Sequence, residues 1–402
     1  MKQMFIWIGA LIIGAILGLL GLWWINTTAD FVAAVFTRLF QLLAVPTIVL
    51  AVITTFATFG SKGSGRIFGH TLIYTLLTTI AAAIVGAILF VVIKPGNLSL
   101  ESVSASANTA VETATTTYTE HILSVVPNNI LRPFLDGNVL SLLLIAFAVG
   151  IGLSRLPESD NKAIVVKFLS GFQELLFLLI RWLIKILPVG IVAFAAQLSA
   201  QVSAGVVAGA LGKYLLVVLG GNLIQFFVVL PLFLLARRLN PLHVLIKMMP
   251  AVLTALFTKS SSATLPVTIN SAEQRLSVKP NIARFVLPIC TTINMNGCAA
   301  FILVTSLFVM QNGGTPITFS TILLWLFISV ISAVGNAGVP MGCYFLTLSL
   351  MSGIGAPIAV LGIILPFYTI IDMIETAENV WSDSCVTAMT DKDLEHNKQS
   401  VS

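Results

Sequence analysis

Long apolar runs alternate with short polar connections along most of the chain. Three runs, Phe5–Trp24, Ile67–Ile93 and Leu215–Ala236, reach the roughly 20 residues that a helix needs to cross the ~30 Å hydrocarbon layer of a membrane. A fourth, Val139–Leu153, is shorter and needs flanking residues to span. The pattern predicts an all-α chain with eight membrane-spanning helices near residues 4–24, 31–59, 67–94, 121–154 (broken near Pro127 and Pro133), 164–196, 209–236, 281–310 and 357–388.

Two further apolar segments are interrupted in the middle. Residues 241–272 contain TKSSSATLPVT at 258–268, and residues 318–355 contain AVGNAGVPMGC at 333–343. Such breaks are tolerated at membrane depth only where protein or an aqueous cavity covers the backbone, so we interpret both segments as re-entrant helical hairpins. Each is followed by a full helix, which is typical of the inverted repeats that build substrate sites in secondary transporters. The alternative is two ordinary spans with proline kinks.

Lysine and arginine favour the hairpin arrangement. With eight spans and two hairpins, most of the 21 basic residues fall on the side that holds both termini, whereas the outer connections carry only Lys94, Arg132 and Lys213. Because basic residues accumulate on the cytoplasmic side, both termini are predicted to be cytoplasmic. The alternative with two additional spans moves Arg275 and its basic neighbours outside. The Ser/Thr/Asn-rich stretch 96–121 is predicted to be a flexible external loop.

Composition identifies the class of protein. With 57% hydrophobic and 9% charged residues, the chain is far more apolar than soluble domains, which carry about 25% charged residues. The net charge of +5 is spread between apolar segments and forms no single patch, so no nucleic-acid partner is expected. The first apolar run lacks a convincing cleavage site and is interpreted as an uncleaved helix. The four cysteines form no CxxC pair and are interpreted as small membrane-helix residues, not as disulfides or metal ligands.

Acidic residues gather in the last predicted helix, although the chain has only 16 in total. At 100° per residue, one stripe about 80° wide carries Asp372, Glu375, Asn379 and Asp383. Glu378 points elsewhere and is interpreted as an inter-helix residue. An ionised carboxylate inside a bilayer costs about 3 kcal/mol, so the stripe must face ions, water or the bundle interior. We interpret it as a site for cations and an ammonium group; the alternative is a helix that leaves the membrane midway and exposes these acids to water.

Two other polar clusters interrupt apolar sequence. Asn294 and Asn296 lie in the middle of the helix predicted at 281–310, beside Gly297, which permits local unwinding and frees carbonyl oxygens. Unwound transporter helices offer such oxygens to hard cations. In the first hairpin, KSSSAT offers hydroxyl groups and, if it begins a half-helix, N–H donors that suit a substrate carboxylate. The simpler alternatives are asparagines bonded to neighbouring helices and a flexible serine-rich turn.

Four motifs, in this order and spacing, carry a resemblance to a known family. They are TKSSSATLPVT, TTINMNG at 291–297, GNAGVP at 335–340 and DMIETAENVWSD at 372–383. From Ile67 onward the chain resembles the dicarboxylate/amino acid:cation symporter family, with its glutamate-transporter fold. ETAEN at 375–379 is similar to the sodium/serine-threonine symporter branch. The resemblance implies eight transmembrane helices, two re-entrant hairpins and inverted repeats.

The resemblance also implies an assembly and a division of labour. The expected assembly is a homotrimer surrounded by lipid in the cell (inner) membrane. Residues 1–66 and 121–205 are expected to form a fixed scaffold, and residues 67–95 and 206–391 a transport domain that carries substrate across as an elevator. Residues 96–120 are then an external loop and residues 392–402 a cytoplasmic tail.

The same resemblance assigns roles to individual residues. Asp372 is expected to bind the α-ammonium group of an amino acid substrate and Asn379 its α-carboxylate, with help from backbone at Val339. The other substrate-binding candidates are Ser261, Ser262, Cys298, Glu375 and Thr376. One Na⁺ site is expected at Asp383, Asn294 and Asn379, a second at Thr292, Met295 and Ala333 to Asn336, and a weakened third at Thr78, Thr79 and Asn296.

Three positions depart from the acidic amino acid carriers of that family. Glu375 stands where those carriers have an Arg that clamps the substrate's side-chain carboxylate, and two carboxylates repel each other in a desolvated pocket. Asn296 replaces an Asp, which removes negative charge from the third Na⁺ site. Cys298 replaces a Thr and is a poorer hydrogen-bond donor. Glu375 is left to pair with Lys259 or to accept a substrate hydroxyl.

These features predict a symporter that couples Na⁺, as a co-transported ion, to uptake of a small neutral amino acid, serine or threonine first. The alternative is a Na⁺- or H⁺-coupled symporter of acidic amino acids or C4-dicarboxylates, with Glu375 as a proton carrier. An enzyme is not expected, because the acids share one helix and the GxGD pattern of aspartyl intramembrane proteases is absent from the sequence. A dedicated channel would not need an ammonium-binding Asp.

Overall fold

The structure, a computed structural model, describes residues 2–59, 65–98, 126–136, 139–201, 204–334, 336 and 341–399. Within these residues the chain is helical and has no strand, which confirms the predicted class. The helices are α1 (Lys2–Leu19), α2 (Trp23–Phe59), α3 (Gly65–Ile93), α4 (Arg132–Asp136), α5 (Val139–Arg155), α6 (Asp160–Gln201), α7 (Ala204–Ile224), α8 (Leu230–Ala236), α9 (Pro241–Thr258), α10 (Ser261–Asn270), α11 (Pro280–Ile293), α12 (Asn296–Asn312), α13 (Phe319–Val334), α14 (Gly342–Gly353) and α15 (Ala359–Gln399). A π-helical turn, Gln225–Val229, joins α7 to α8, and another, Ser271–Arg275, follows α10.

Several of these helices are long and apolar enough to cross a membrane. Among the described residues, the spans that qualify by length and composition are Arg66–Ile93, Gly209–Ala236, Pro241–Thr258 and Pro280–Asn312. Helix α15 adds another if its two arms count as one span, because it bends by 73° between Leu365 and Phe367. The protein is therefore a multi-pass membrane protein.

The first helix boundary differs from the prediction. A break was expected at the polar residues 25–30, but α1 ends at Leu19 and α2 already begins at Trp23. Gly21 has a φ of 64°, which glycine adopts without steric cost, and it turns the chain between the two helices. The hydroxyls of Thr27 and Thr28 donate to the carbonyls four residues earlier, so these polar residues are satisfied within the helix.

Each of the two interrupted segments folds as two helices, α9 and α10 in the first and α13 and α14 in the second. Helix α9 ends at Thr258; the next residue, Lys259, has a left-handed φ of 55°, and α10 begins directly after Ser260. Ser260 caps the new helix, because its Oγ accepts a hydrogen bond from the backbone N–H of Ala263 at 3.2 Å. KSSSAT therefore does begin a short helix. In the second segment α14 begins at Gly342 after Met341, which has a φ of 64°; Val339, predicted to bind substrate, lies outside the described residues.

Two sets of helices can be distinguished by what they pack against. Helix α6 packs along α1 and α2, and α2 also packs along α5. In the other set, α12 contacts α3, α7, α13, α14 and α15, while α9 and α11 lie along α15. Every residue of α12 from Asn296 to Met310 is buried, so this helix forms the centre of that set. The two sets meet where α14 contacts α2 and α15 contacts α6.

Two glycines let α1 approach α6 closely. A β-carbon on Gly14 would lie 2.4 Å from the carbonyl oxygen of Val192, and one on Gly18 would lie 2.2 Å from that of Ala196. Small residues four apart are a common means of close helix packing in membranes. Gly9 lies on the same helix, but among the described residues nothing comes within 4 Å of its β-position.

Replacing Gly18 with valine is therefore expected to destabilise the protein. The added side chain must push α1 away from α6, and overpacking of this kind typically costs about 1–3 kcal/mol. The thermal unfolding midpoint of the detergent-solubilised protein measures the effect. Gly9→Val is the matched control, because it makes the same chemical change without the clash. Equal midpoints for the two variants would contradict the close approach of α1 and α6.

Candidate functional site

The acidic stripe of α15 lies inside the helix bundle. The exposed fractions of Asp372, Glu375, Asn379 and Asp383 are 3%, 1%, 3% and 0%. The alternative in which these acids are solvated is therefore wrong. Carboxylates buried to this degree need hydrogen bonds, a counter-charge or a bound cation.

Asp372 lies between the turns of the two helical pairs. Its Oδ2 accepts a hydrogen bond from the backbone N–H of Met341, at the start of α14, at 3.1 Å. Lys259, at the turn between α9 and α10, interacts with it electrostatically. Thr376, a predicted pocket residue, is buried and donates its hydroxyl to the Asp372 backbone carbonyl at 2.7 Å. The carboxylate of Asp372 is thus placed where two turns and a positive charge converge.

Glu375 has one engaged oxygen and one free oxygen. Tyr368 donates its hydroxyl to Oε2 at 3.1 Å, whereas Oε1 has no hydrogen-bond partner among the residues that the structure describes. Lys259, the other group that was expected to pair with Glu375, interacts electrostatically with Asp372. The backbone of Glu375 lies close to Gly297, where a β-carbon would come within 3.0 Å of the Glu375 Cα. Gly297 therefore allows α12 and α15 to meet at the site.

The helix that was expected to unwind is broken at the expected place. α11 ends at Ile293 and α12 begins at Asn296, with Asn294 at φ −98°, ψ 70° and Met295 at φ −110°, ψ 67°. Neither residue is helical, so the chain passes the site in an extended turn. Thr292 is partly exposed, and its hydroxyl donates to the Ile289 carbonyl at 2.8 Å.

An amide network joins this break to α15. Asn294 Nδ2 donates to Asp383 Oδ1 at 2.9 Å, and the N–H of Gly297 donates to Asn379 Oδ1 at 3.0 Å. The Nδ2 atoms of Asn294 and Asn296 both donate to Ser382 Oγ, at 2.9 and 2.8 Å. Sequence reasoning missed Ser382, although its position on the helical wheel, beside Glu375, was a signal.

Two threonines of α3 complete the network. Thr79 donates its hydroxyl to Asn296 Oδ1 at 2.8 Å, and Thr78 donates to Asn294 Oδ1 at 3.2 Å. The structure thus brings the members of the predicted third Na⁺ site together. The oxygen of Asn296 is already engaged by hydroxyl donors, so a cation there would have to displace them.

Asp383 is suited to hold a cation as cargo. Its side chain is fully buried, and its Oδ2 has no hydrogen-bond partner within the described part of the chain. Carboxylate, amide and carbonyl oxygens are the ligands that hard cations such as Na⁺ prefer. Ala333 and Asn336, assigned to the second site, are also buried, at 0% and 6% exposure.

The turn before α10 supplies the remaining candidates. Ser261 is buried and Ser262 is exposed. Both lie in the first turn of α10, where the positive end of the helix dipole attracts a carboxylate. Ser261 is therefore the better placed of the two for a buried ligand.

One prediction about the cysteines is wrong. Cys298 and Cys343 form a disulfide that joins α12 to α14, with a Cα–Cα distance of 5.4 Å. Their separation of 45 residues gave no sign of this pairing, which arises because α14 folds back onto α12. Cys298 therefore offers a substrate no thiol, and Asn336 Nδ2 donates to both sulfurs at 3.0 and 3.1 Å. Cys290 and Cys385 are free and buried, as expected.

Asp383→Asn is expected to weaken the response to sodium. The variant keeps an oxygen for Asn294 but loses the negative charge, and losing one charge from a buried ion pair costs about 3–5 kcal/mol. The Na⁺ concentration that gives half-maximal substrate uptake should rise at least about tenfold. Asp393→Asn, the same change further along α15, is the control, since Asp393 pairs with Tyr74, His70 and Arg237 away from the stripe. An unchanged sodium response in Asp383→Asn would exclude Asp383 as a ligand.

Comparison with known proteins places the chain among membrane transporters. The model of the sodium:dicarboxylate symporter family matches residues 3–393. The Caenorhabditis elegans protein glt-4, named as a sodium-dependent excitatory amino acid transporter, is 30% identical over 414 residues, which cover 90% of this chain and 82% of that protein. Neutral amino acid transporter B(0) of Oryctolagus cuniculus is 28% identical over 86% of this chain and 70% of its own. Excitatory amino acid transporter 3 of Mus musculus is 27% identical over 90% and 78%.

Proposed function

The chain belongs to the sodium:dicarboxylate symporter family, and we propose that it couples Na⁺ entry to the uptake of a small neutral amino acid, with serine and threonine favoured. The family and the relatives are transporters, not enzymes. By name, the relatives carry either neutral or excitatory amino acids, and glt-4 is also named as sodium-dependent, so the names alone do not choose the substrate.

Glu375 is the observation that carries the choice of a neutral substrate. Its carboxylate is buried three residues after Asp372, and its Oε1 lacks a partner among the described residues. A substrate side-chain carboxylate here would meet a second negative charge in a desolvated pocket, where repulsion is much stronger than in water. A hydroxyl group would instead donate to Oε1 and relieve an unsatisfied oxygen.

The backbone groups of an amino acid fit the rest of the site. Asp372 would pair with the α-ammonium group. The ammonium group would replace Lys259 as the positive charge that interacts with the Asp372 carboxylate. Asn379 Nδ2 and the first turn of α10 would bind the α-carboxylate, because both present N–H donors. Ser261 and Thr376 would line the same pocket.

Sodium would bind beside Asn379, on the side away from the amino acid substrate. Asp383, Asn294 and Asn379 would provide one site, and carbonyls from Thr292, Met295 and residues 333–336 a second. The third site, at Thr78, Thr79 and Asn296, would be weak because its amide oxygen is already hydrogen-bonded.

We infer an elevator mechanism from the two sets of helices. The set around α6 would be the fixed scaffold (residues 1–66 and 121–205) of a homotrimer in the inner membrane, with both termini cytoplasmic. The set around α12 would move with its cargo (residues 67–95 and 206–391). The helical pairs α9/α10 and α13/α14 would be re-entrant hairpins within the eight-span topology, and their turns meet at Asp372.

Transport of acidic amino acids or C4-dicarboxylates is the second candidate. It is favoured by the names of the glt-4 and transporter 3 relatives. It requires a neutral Glu375, so coupling would involve protons as well as Na⁺.

A competition assay in proteoliposomes separates the two candidates. Uptake of labelled serine is measured with and without an inward Na⁺ gradient, and each common amino acid and C4-dicarboxylate is added as competitor. The proposal predicts Na⁺-dependent serine accumulation that serine and threonine compete best. Stronger competition by aspartate, glutamate or succinate would favour the second candidate.

A further inference from the structure

A fourth buried carboxylate of this part of α15 lies outside the stripe. Glu378 has an exposed fraction of 0%, and neither of its oxygens has a hydrogen-bond partner in the described part of the chain. A buried carboxylate without donors is strongly disfavoured unless something neutralises it. None of the roles proposed above uses this residue.

Helix α7 and its π-helical turn bring two more unsatisfied oxygens to this region. Asn222 and Gln225 are each 1% exposed. Their amide nitrogens are engaged, because Asn222 Nδ2 donates to the Val218 carbonyl at 2.7 Å and Gln225 Nε2 to the Thr78 carbonyl at 3.0 Å. Asn222 Oδ1 and Gln225 Oε1, in contrast, find no donor among the described residues. Both amides therefore present free oxygens.

Contacts on either side of Glu378 align it with these amides. Glu375 lies three residues before Glu378. A β-carbon on Gly297 would lie 3.0 Å from the Glu375 Cα and 2.8 Å from Asn222 Oδ1, so Glu375 and Asn222 are close together. Three residues after it, Trp381 Nε1 donates to the Phe226 carbonyl at 3.1 Å. Glu378 thus lies on α15 between two contacts with the chain segment 222–226. At 100° per residue, Glu378 lies between Glu375 and Trp381 on the helical wheel of α15, and from this we infer that its side chain faces Asn222 and Gln225.

Nearby charges do not neutralise Glu378. The charged group that interacts with it is Glu375, on its own helix, and that group repels it. No ionisable side chain on the helices packed against α15 forms a hydrogen bond with Glu378 in the described part of the chain. These side chains include Tyr214 bonded to Thr305, Tyr74 bonded to Asp393, the exposed Lys213 and His243, the partly exposed Lys247, Arg284 bonded to Glu273, the buried thiol of Cys290, and Cys298 in its disulfide.

Counting donors distinguishes a bound cation from a bound proton. A proton on Glu378 supplies one O–H group and so satisfies one acceptor, which leaves the other oxygens of the cluster unsatisfied. A hard cation contacts several oxygens at once and adds the positive charge that the carboxylate lacks.

We propose that Glu378, Asn222 and Gln225 form an additional binding site for a monovalent hard cation, with Na⁺ as the physiological ion. The site shares no ligand side chain with the Asp383 cluster or with the Thr78, Thr79 and Asn296 cluster, although Gln225 Nε2 donates to the Thr78 carbonyl. Glu378 of α15 gives this site a negative charge, whereas Asn296 gives its own cluster only an uncharged amide. This inference rests on the proposed function, in which an ion bound to α15 crosses the membrane together with the substrate.

Binding of Na⁺ to the purified protein tests this site without any amino acid. Isothermal titration with NaCl, in a buffer whose other cation is choline, measures the number and affinity of Na⁺ sites. Glu378→Gln, which keeps size and removes charge, should lose one Na⁺ per protomer or bind it at least tenfold more weakly. Asn222→Leu should weaken the same site and serves if Glu378→Gln does not fold. Glu158→Gln, at an exposed carboxylate on another part of the chain, is the control and should match the wild type in Na⁺ binding.

Flux measurements then connect the site to transport. The ratio of ²²Na⁺ to serine entering proteoliposomes should fall by one in Glu378→Gln. An unchanged Na⁺ titration in both variants would overturn the proposal. So would a Glu378-dependent movement of protons, detected with a pH-sensitive dye inside the vesicles, with Na⁺ binding intact. A failure of serine uptake with Na⁺ binding as described would reject the proposed substrate and leave the cation site standing.

Discussion

Asp372→Asn is expected to abolish sodium-driven amino acid uptake while leaving the fold intact. Asparagine has the same shape and retains an oxygen for the Met341 N–H, so the structural hydrogen bond survives. The lost charge is the one that would pair with a substrate ammonium group. Truncating one partner of a buried, hydrogen-bonded charge pair costs about 2–5 kcal/mol, or roughly 30- to 4,000-fold in affinity.

Uptake of labelled serine and the unfolding midpoint are the two measurements for this variant. Asp160→Asn, an exposed aspartate at the start of α6, makes the same chemical change and should transport normally. Wild-type uptake by Asp372→Asn would refute the ammonium-binding role. Loss of uptake with a lowered midpoint would show a structural role instead.

Glu375→Arg is expected to turn the specificity toward acidic substrates. The guanidinium group offers a planar pair of donors to a carboxylate, where Glu375 now presents an oxygen that no described residue engages. A charge-assisted hydrogen bond contributes about 1.5–3 kcal/mol, so the ratio of aspartate to serine uptake should rise by about 10- to 150-fold.

Glu375→Gln separates the loss of a negative charge from the gain of a positive one. The Glu375→Gln variant should reject aspartate less strongly than the wild type but should not prefer it to serine. Glutamine removes the repulsion between two carboxylates, but it has no guanidinium group to bind the aspartate side chain. If the arginine variant folds and gains no aspartate uptake, and the wild type carries glutamate well, Glu375 does not face the substrate side chain.

The enclosed stripe was predictable because it depends on helical periodicity and on the cost of buried charge. Asp372, Glu375 and Asp383 recur on one side of a single helix in apolar sequence, and a bilayer leaves few places for such a surface. The break beside Gly297 was predictable for a similar reason, since polar residues interrupted an otherwise apolar run. The structure places both at one site.

Features that depend on how distant segments pack were not visible in the sequence. The bridge between Cys298 and Cys343 requires α14 to fold back on α12, and no spacing rule connects residues 45 apart. The helix boundary at Gly21 was missed because Thr27 and Thr28 resemble a polar turn in the sequence. In the structure their hydroxyls bond to carbonyls of their own helix. Glu378 was recognised only as an inter-helix residue, because the residues proposed to bind a cation with it, Asn222 and Gln225, come from another part of the chain.

A structure of the protein with serine in a sodium-containing buffer, determined by electron cryomicroscopy, tests the central claim most directly. We predict amino acid density enclosed between Asp372, Asn379 and the first turn of α10, with ion density against Asp383. Serine bound elsewhere, or an acidic face of α15 that opens to bulk solvent away from both turns, would contradict the proposed mechanism.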